Sequence, residues 1–526
     1  MFSESSLKRS LMALVGLTWS AHSVAGAGEP AGHQTIPNPR FAPVRSLIMR
    51  GVGQGYLPSA SIAVAKDGKI IWQEAFGWAD KERKREATPH TIYALASISK
   101  PMTATGLMVL AQQKKVALDD AVQQYIAPAA LTAYAGSPSD VTIKHLLNHT
   151  SGLPTHYNYF YEDEPHRPPS MEETIRRYGI LVHPPGKLSD YSNLGYGILG
   201  HIIAKVSGRP FDKAMRELVF QPLGMPHTSV GIPPDSEDLV ATKYGPGKKP
   251  VPTVYVDTPG AAAVYSCAHD LVRFGMFHLK NHLADQEQIL EDELIDTMQR
   301  DYDKTAAQFD ASEAPYGLGW VFKENDNGYG TVWHAGGMEG AGAMLKLVPS
   351  EDIAVVVLLN IYDRQNSWEE AQMLADAVIG VLLPEYEKKS RTQSSSDSSQ
   401  KAPGREFRGT WTGEIKTYEG SLPVTLEFQR DGDVHLSLAA QWDCTWGFLE
   451  HPTHHLLLNG TRIERNRFVG FADFSLPSAD AKRYPHHTWF QLVREGNTLR
   501  GCATVFARTP RMYWGLSSYA KLTKVP

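Results

Sequence analysis

Residues 93–106, "YALASISKPMTATG", place a serine three positions before a lysine, Ser97 and Lys100, with Pro101 immediately after. The spacing alone decides nothing, because Ser-x-x-Lys occurs four times in the chain: Ser5 to Lys8, Ser97 to Lys100, Ser398 to Lys401 and Ser518 to Lys521. The surroundings choose among them. In the first turn of a helix, residues three apart share a face, so the Lys100 amine can reach the Ser97 hydroxyl. Pro101 fits close to a helix start, where missing backbone donors matter least, and the serine then lies near the positive end of the helix dipole. A serine hydroxyl is a weak nucleophile until a base takes its proton. An amine can be that base if burial or nearby positive charge brings its pKa down from about 10.4.

The other three copies fall away one by one. Residues 1–25 have the shape of a secretory signal: Lys8 and Arg9, an apolar run over 11–19, then Ser23-Val24-Ala25 as a cleavage site. The run is shorter than the roughly 20 apolar residues a membrane span needs, so an exported mature protein starting near Gly26, with no integral membrane segment, is expected, and Ser5 is discarded. Residues 388–405, "KKSRTQSSSDSSQKAPGR", lack apolar periodicity and read as a flexible linker, which removes Ser398. Ser518 sits in an alternating run, where residues three apart point to opposite faces.

The chain of 526 residues is 42% hydrophobic and 21% charged, with net charge -5, enough apolar material for two or three domains. It has no long basic run, so nucleic acid is set aside as a partner. The three cysteines, Cys267, Cys444 and Cys502, form neither Cys-x-x-Cys nor a zinc spacing. Cys444 and Cys502 could bridge in an exported protein, or both could be buried thiols. No cofactor or metal is implied.

Residues 59–80 alternate and turn at Asp67-Gly68, predicting two antiparallel strands. Helical patterns follow at 102–114, 143–148, 171–178, 196–207, 211–219 and 268–282. Strand patterns return at 316–322, 331–336, 342–349 and 353–360, and a helix at 368–383 closes the region. Strands at both ends with helices between them imply one sheet built from both ends of the domain, an α+β fold spanning 26–387. Residues 406–526 change character: alternating runs broken by Asp431-Gly432, Asn459-Gly460 and Gly496-Asn497 predict an all-β sandwich or barrel.

Two further triplets stand beside Ser97. Tyr191-Ser192-Asn193 is the only Tyr-x-Asn among 22 tyrosines, and His334-Ala335-Gly336 the only His-x-Gly among 20 histidines. In identity and order these motifs resemble the serine beta-lactamase-related superfamily, in the branch of class C beta-lactamases, D-Ala-D-Ala carboxypeptidases, D-aminopeptidases and beta-lactamase-like esterases. The likeness covers roughly 40–385 and includes "TIKHLLNHTSGLP" (142–154), "PPGKLSDYSN" (184–193) and "PGAAAVYSCAHDLVRFG" (259–275). It implies a beta-lactamase/transpeptidase-like fold: an antiparallel sheet flanked by helices, plus a helical subdomain. The C-terminal region resembles the small lipocalin-like barrels appended to some members, where it would shade the cleft or mediate pairing into a homo-oligomer.

The resemblance assigns roles residue by residue. Ser97 would attack a carbonyl to form an acyl-enzyme, with Lys100 and Tyr191 sharing general-base work. Asn193 would hold the Lys100 amine and a substrate amide. The oxyanion would rest on the backbone N–H groups of Ser97 and Gly337, beside Gly336 and His334. His334 departs from the Lys-Thr-Gly of lactamases: histidine titrates near 6.5, so weaker recognition of a lactam carboxylate follows, and an esterase or D-aminopeptidase is favoured over a true beta-lactamase. The substrate would be a small ester, amide or D-amino-acid peptide. A non-hydrolytic penicillin-binding-like receptor is the rival reading, whereas an alpha/beta-hydrolase lacks its Gly-x-Ser-x-Gly. His149 reads as a loop brace, 155–166 as a cleft wall or a surface loop, and His454, His455, His486 and His487 as solvated strand ends rather than metal ligands.

Overall fold

The computed structural model describes residues 35–233, 236–300, 307–308, 315–361, 367–386, 406–438, 455–464, 466–507, 511 and 514–526. The expected signal (1–25), the linker (388–405), Cys444 and His454 lie outside the described residues.

Asp67 and Gly68 both take positive φ, 51° and 68°, which is the backbone a two-residue hairpin turn requires. They join β1 (Ser59–Lys66) to β2 (Lys69–Asp80). The later apolar runs form β3 (Val321–Asp326), β4 (Tyr329–Met338), β5 (Ala341–Val348) and β6 (Ile353–Leu359). The sheet order is β3-β4-β5-β6-β1-β2, with a two-residue edge strand at Arg85–Glu86. The two ends of the region therefore meet in the middle of the sheet, β1 against β6, in register from Ala60↔Leu359 to Lys66↔Ile353.

Helices cover both faces: α1 (Ala42–Gly53), α2 (Ser99–Gln112), α3 (Asn193–Ser207), α4 (Ala268–His278) and α5 (Ser367–Leu382) position the site. Period two sorts the central strands between the faces. Ile62, Val64, Val355 and Val357 pack with Val44, Ile48, Leu374 and Val378 of α1 and α5. Ala63, Ala65, Val356 and Leu358 join the larger core that holds α2, α3 and α4. With neither face wet, β6 reads as the unbroken apolar run "IAVVVLL", buried at every position.

Three local expectations need correction. Of the strand expected at 316–322, only its last two residues join β3; the chain turns at Gly319, φ 98°, where a Cβ would come within 2.6 Å of the Ala104 Cβ on α2. The helix expected at 211–219 stops at Met215 and continues as a π turn, Arg216–Phe220. The helix expected at 268–282 ends at His278.

Among the described residues the C-terminal region forms nine antiparallel strands: β7 (Gly409–Lys416), β8 (Ser421–Phe428), β9 (Val434–Leu438), β10 (His455–Leu457), β11 (Asn459–Glu464), β12 (Arg467–Ala472), β13 (His486–Glu495), β14 (Thr498–Ala507) and β15 (Trp514–Lys524). Its order is β10-β9-β8-β7-β15-β14-β13-β12-β11. The two outermost strands, β10 and β11, are separated in the chain by Leu458 alone, so the edges lie close and the barrel is nearly closed, which removes most of the open edge. Trp411, Leu426, Phe428, Phe468, Phe490 and Leu522 fill it. Cys502 is a buried free thiol, as is Cys267. His486, expected at a wet strand end, is buried and bonded through Nδ1 to the Tyr484 carbonyl at 3.0 Å.

Within the stretch at 155–166, expected as a cleft wall or a surface loop, Tyr157–Tyr161 forms a strand, and the Tyr157 and Tyr159 rings lie 5.5 Å apart. This strand pairs with Val254–Val256 on one side and reaches β15 on the other, through Trp514↔Asn158 and Gly515↔Tyr157. It is the seam between the two regions. A second anchor is Asp480, whose carboxylate accepts from Tyr178 Oη at 2.7 Å, Arg177 Nη1 at 2.9 Å and Tyr418 Oη at 3.0 Å. A third is the stack of Tyr134 on Tyr519, ring centroids 4.2 Å apart.

Burial alone would raise the Asp480 pKa, but the bonds from Tyr178, Tyr418 and Arg177 outweigh it and hold the carboxyl below its usual value. Its stabilisation is therefore complete above the unfolded pKa of about 3.9 and is lost as pH falls through the lower folded value. Asp480→Ala strands three donors and is expected to cost about 1–3 kcal/mol of stability. Thermal unfolding should show the loss at pH 7 and progressively less of it as pH falls below about 3.9, and limited proteolysis should separate the regions sooner. Unchanged unfolding at pH 7 would contradict the anchor.

Candidate active site

From Pro89 to Leu110 every residue is buried except Ser97, which is half-exposed. The serine does not stand in the first turn of α2, as the sequence suggests. It lies in a 3-10 turn, Ala96–Ile98, that runs straight into the helix. Ala96 takes φ 47°, a left-handed backbone that costs a residue with a Cβ roughly 1–3 kcal/mol unless its surroundings enforce it. Ser99 enforces it: its hydroxyl donates to the Ala96 carbonyl at 2.7 Å and accepts from the Val264 N–H at 2.9 Å.

Lys100 remains within reach. Its Nζ is 3.1 Å from Ser97 Oγ and 3.1 Å from the carbonyl of Ala261, on the short helix Pro259–Ala262. Lys100 is fully buried. Among the described residues no carboxylate pairs with it, and burial pushes its pKa well below the ordinary lysine value. The amine sits 4.7 Å from the centroid of the Tyr191 ring and 5.8 Å from that of Tyr196. Ser97, Lys100 and Tyr191 are thus brought together from two separate elements, the α2 entry and the loop before α3.

Asn193 opens α3 behind Ser192, the N-cap, whose Oγ accepts from the Gly195 N–H at 3.3 Å. No hydrogen bond joins Asn193 to Lys100 among the described residues. The place expected for it at the amine is taken by the Ala261 carbonyl, a backbone group that no side-chain motif announces.

β3 pairs with β4 only as far as Trp333, whereas β5 follows β4 to Met338↔Ala341. Beyond Trp333, β4 packs on the turn that carries Ser97. At Gly336 the approach is so close that a Cβ would lie 2.0 Å from the Leu95 carbonyl oxygen, which only glycine allows. Gly337 follows on the opposite face, where a Cβ would meet Ser367 Oγ and Trp368 Cδ1 at 3.4 Å.

His334 is buried and its two nitrogens have distinct jobs. Nδ1 lies 2.7 Å from the Ala335 carbonyl and donates to it, so Nε2 accepts from the Tyr316 hydroxyl at 2.9 Å. Burial, and then the neighbouring Lys100 charge, bring its pKa down to about 3 despite the Ala335 bond. The expectation that it titrates near 6.5 is corrected: at neutral pH this is an uncharged imidazole. Tyr316 was missed because it falls inside the expected strand at 316–322. The glycines at 317 and 319 were the signal, since paired glycines argue for a turn. His149 also joins the cluster, its ring 4.4 Å from those of Tyr191 and Tyr316.

Among the described residues no group of three or more His, Cys, Asp or Glu is placed to hold a metal ion, and no helix is long and apolar enough to cross a membrane.

The Beta-lactamase family model matches residues 44–378. The chain belongs to the beta-lactamase family. Protein flp of Staphylococcus aureus (strain MW2) is 29% identical over 326 residues, covering 60% of this chain, and the chain spans 62% of that protein's length. Penicillin-binding protein 4* of Bacillus subtilis (strain 168) is 25% identical over 415 residues, 74% of this chain and 86% of that one. Among solved structures, the octameric penicillin-binding protein homologue from Pyrococcus abyssi shares the fold with TM-score 0.57 at 21% identity, over 91% of this chain and 100% of that chain. That span is too long to omit the barrel.

Tyr316→Phe would leave His334 Nε2 as a buried acceptor without its donor, an expected cost of about 1–3 kcal/mol. Denaturant unfolding checks this, and wild-type stability in the variant would contradict the assigned hydrogen bond.

Proposed function

We propose that the chain is a serine hydrolase that works through an acyl-enzyme on a small ester, amide or D-amino-acid peptide. The observation that carries the reading is the buried, carboxylate-free amine of Lys100 lying 3.1 Å from the one half-exposed hydroxyl of its segment. Ser97 Oγ attacks the substrate carbonyl as Lys100, assisted by Tyr191, takes its proton. The oxyanion is held by the backbone N–H groups of Ser97 and Gly337, each fixed donor contributing on the order of 10²- to 10³-fold. Tyr191 returns the proton to the leaving group as its bond to the carbonyl carbon breaks. Water, deprotonated by the same bases, then releases the acid and regenerates Ser97. Asn193 meets the substrate amide.

The state of His334 narrows the substrate. A lysine at that position would present a permanent cation to a carboxylate, whereas a buried neutral imidazole bonded to Tyr316 presents none. The reading is therefore esterase, or D-aminopeptidase or carboxypeptidase, ahead of true beta-lactamase. The basic and apolar start of the chain supports an exported protein, periplasmic or secreted, with 1–25 as its signal and 388–405 as a linker to a lipocalin-like barrel. The Pyrococcus abyssi homologue is octameric, and a homo-oligomer is part of the proposal.

The test is a panel of short and long p-nitrophenyl esters, D-alanyl p-nitroanilide and a chromogenic cephalosporin, with Ser97→Ala as control. Ester or D-amide turnover is expected, lost by at least about 10³-fold in Ser97→Ala, with feeble cephalosporin turnover. Efficient cephalosporin cleavage would overturn the inference from His334, and stoichiometric acylation without turnover would mark a receptor instead. Because the depressed pKa of Lys100 leaves the amine neutral above it, turnover should already be level through the range near about 10.4 where an ordinary lysine titrates. It should fall only as pH drops through that lowered value; a rate still climbing at pH 10 would contradict a neutral Lys100.

A further inference from the structure

His149 is buried, 2% exposed, and lies in the site, yet the proposed reaction does not use it. Its place is unusual in two ways. Its backbone is left-handed, φ 61°, a conformation a residue with a Cβ holds only where the surroundings impose it. Its ring also has one nitrogen in use and one idle. Nδ1 accepts the Ser192 N–H at 3.2 Å, so the neutral ring carries its proton on Nε2, and Nε2 is buried with no hydrogen-bond partner. An unpaired buried donor is a cost that an apolar side chain of similar size would avoid.

What both costs support is the segment around Tyr191. The His149 carbonyl accepts the Asp190 N–H at 2.9 Å, and its Nδ1 accepts the Ser192 N–H. One residue thereby bonds the backbone on both flanks of Tyr191, while its ring stands 4.4 Å from the Tyr191 ring. The following loop adds a third tie, from Ser192 Oγ to the Pro154 carbonyl at 3.0 Å. The backbone bond from Gly186 N–H to the Thr150 carbonyl, 2.8 Å, stitches the same two segments further back.

We propose that His149 is a positioning residue for Tyr191: its carbonyl and its Nδ1 clamp the backbone before and after the tyrosine and so set where the phenol stands relative to Lys100 and Ser97. The proposal rests on the hydrolase reading above, and it assigns His149 no contact with substrate. Burial, with Lys100 and His334 nearby, depresses the His149 pKa well below the ordinary value, which keeps Nδ1 free to accept.

Two substitutions in the full chain separate the clamp from mere packing. Both asparagine and glycine tolerate the left-handed backbone, but only asparagine returns an acceptor near the place of Nδ1. The readouts are kcat and KM on a p-nitrophenyl ester and the rate at which a fluorophosphonate labels Ser97, taken below the unfolding midpoint of each variant. His149→Asn is expected to stay within about threefold of wild type, and His149→Gly to lose about 30-fold or more in kcat with KM little changed. A glycine variant as fast as wild type, or an asparagine variant as slow as glycine, would overturn the proposal. Amide hydrogen exchange on the wild-type chain decides independently of any variant: Asp190 and Ser192 should exchange slowly, and fast exchange at either would sink the clamp even if both variants fail to fold. Wild-type protein that takes no label and turns over no ester would refute the hydrolase reading, while the exchange result would still judge the clamp.

Discussion

The structure turns on one amine removed from water without a counter-charge. Burying an ammonium with no carboxylate beside it costs several kcal/mol, and a lysine so placed gives up its proton instead. Lys100 has a hydroxyl and a carbonyl for partners, Ser97 Oγ and Ala261 O, and neither compensates a full charge. Much of the local sequence reads as the means of making that burial possible. α2 is buried from Ser99 to Leu110 because α3, the Pro259–Ala262 turn and the π turn Arg216–Phe220 pack against it. That turn is held down by Thr103 Oγ1 on the Gly260 carbonyl, 2.8 Å. Gly260 passes α3 so closely that a Cβ would sit 2.3 Å from the Tyr196 carbonyl oxygen. The small residues of "PGAAAV" let a backbone carbonyl arrive where a side chain would not fit.

One strand links the barrel to the same framework most directly. Tyr157–Tyr161 extends β15 at one edge, and at its far end the Tyr161 hydroxyl donates to Glu339 Oε2. Glu339 follows β4 directly, the strand that carries His334, Gly336 and Gly337. Arg511 reinforces the junction with a bidentate pair to Asp163, 2.9 and 2.8 Å. The chain therefore runs without interruption of contact from the barrel wall to the strand beside Ser97, and Asp480 adds its bonds to Arg177 and Tyr178 at the same junction.

Where local periodicity and tertiary demand agree, the sequence is readable. The hairpin at Asp67-Gly68, the meeting of β1 with β6, the helix at 171–178 and the alternating C-terminal strands all follow from patterns of two or 3.6 and from turn chemistry. The site is readable to the extent that it is made of side chains at fixed spacing: Ser97 with Lys100, Tyr191 with Asn193, His334 with Gly336. What could not be read is what only packing supplies. The Ala261 carbonyl carries no motif. Tyr316 hid in an apolar run whose glycines signal a turn. The aromatic stretch at 155–166 has strand character but nothing in it names its two partners. The charge state of His334 depends on enclosure by distant segments, which spacing does not report.

The protonation state of Lys100 decides whether Ser97 has a base. With lysines labelled at the ε-carbon and the Lys100 signal assigned by its absence from Lys100→Met, the chemical shift followed against pH reports that amine directly. The expected result is an inflection far below the ordinary lysine value of about 10.4, with the amine already neutral at the pH where the wild-type chain is most active. An ammonium that persists to pH 10 would contradict it.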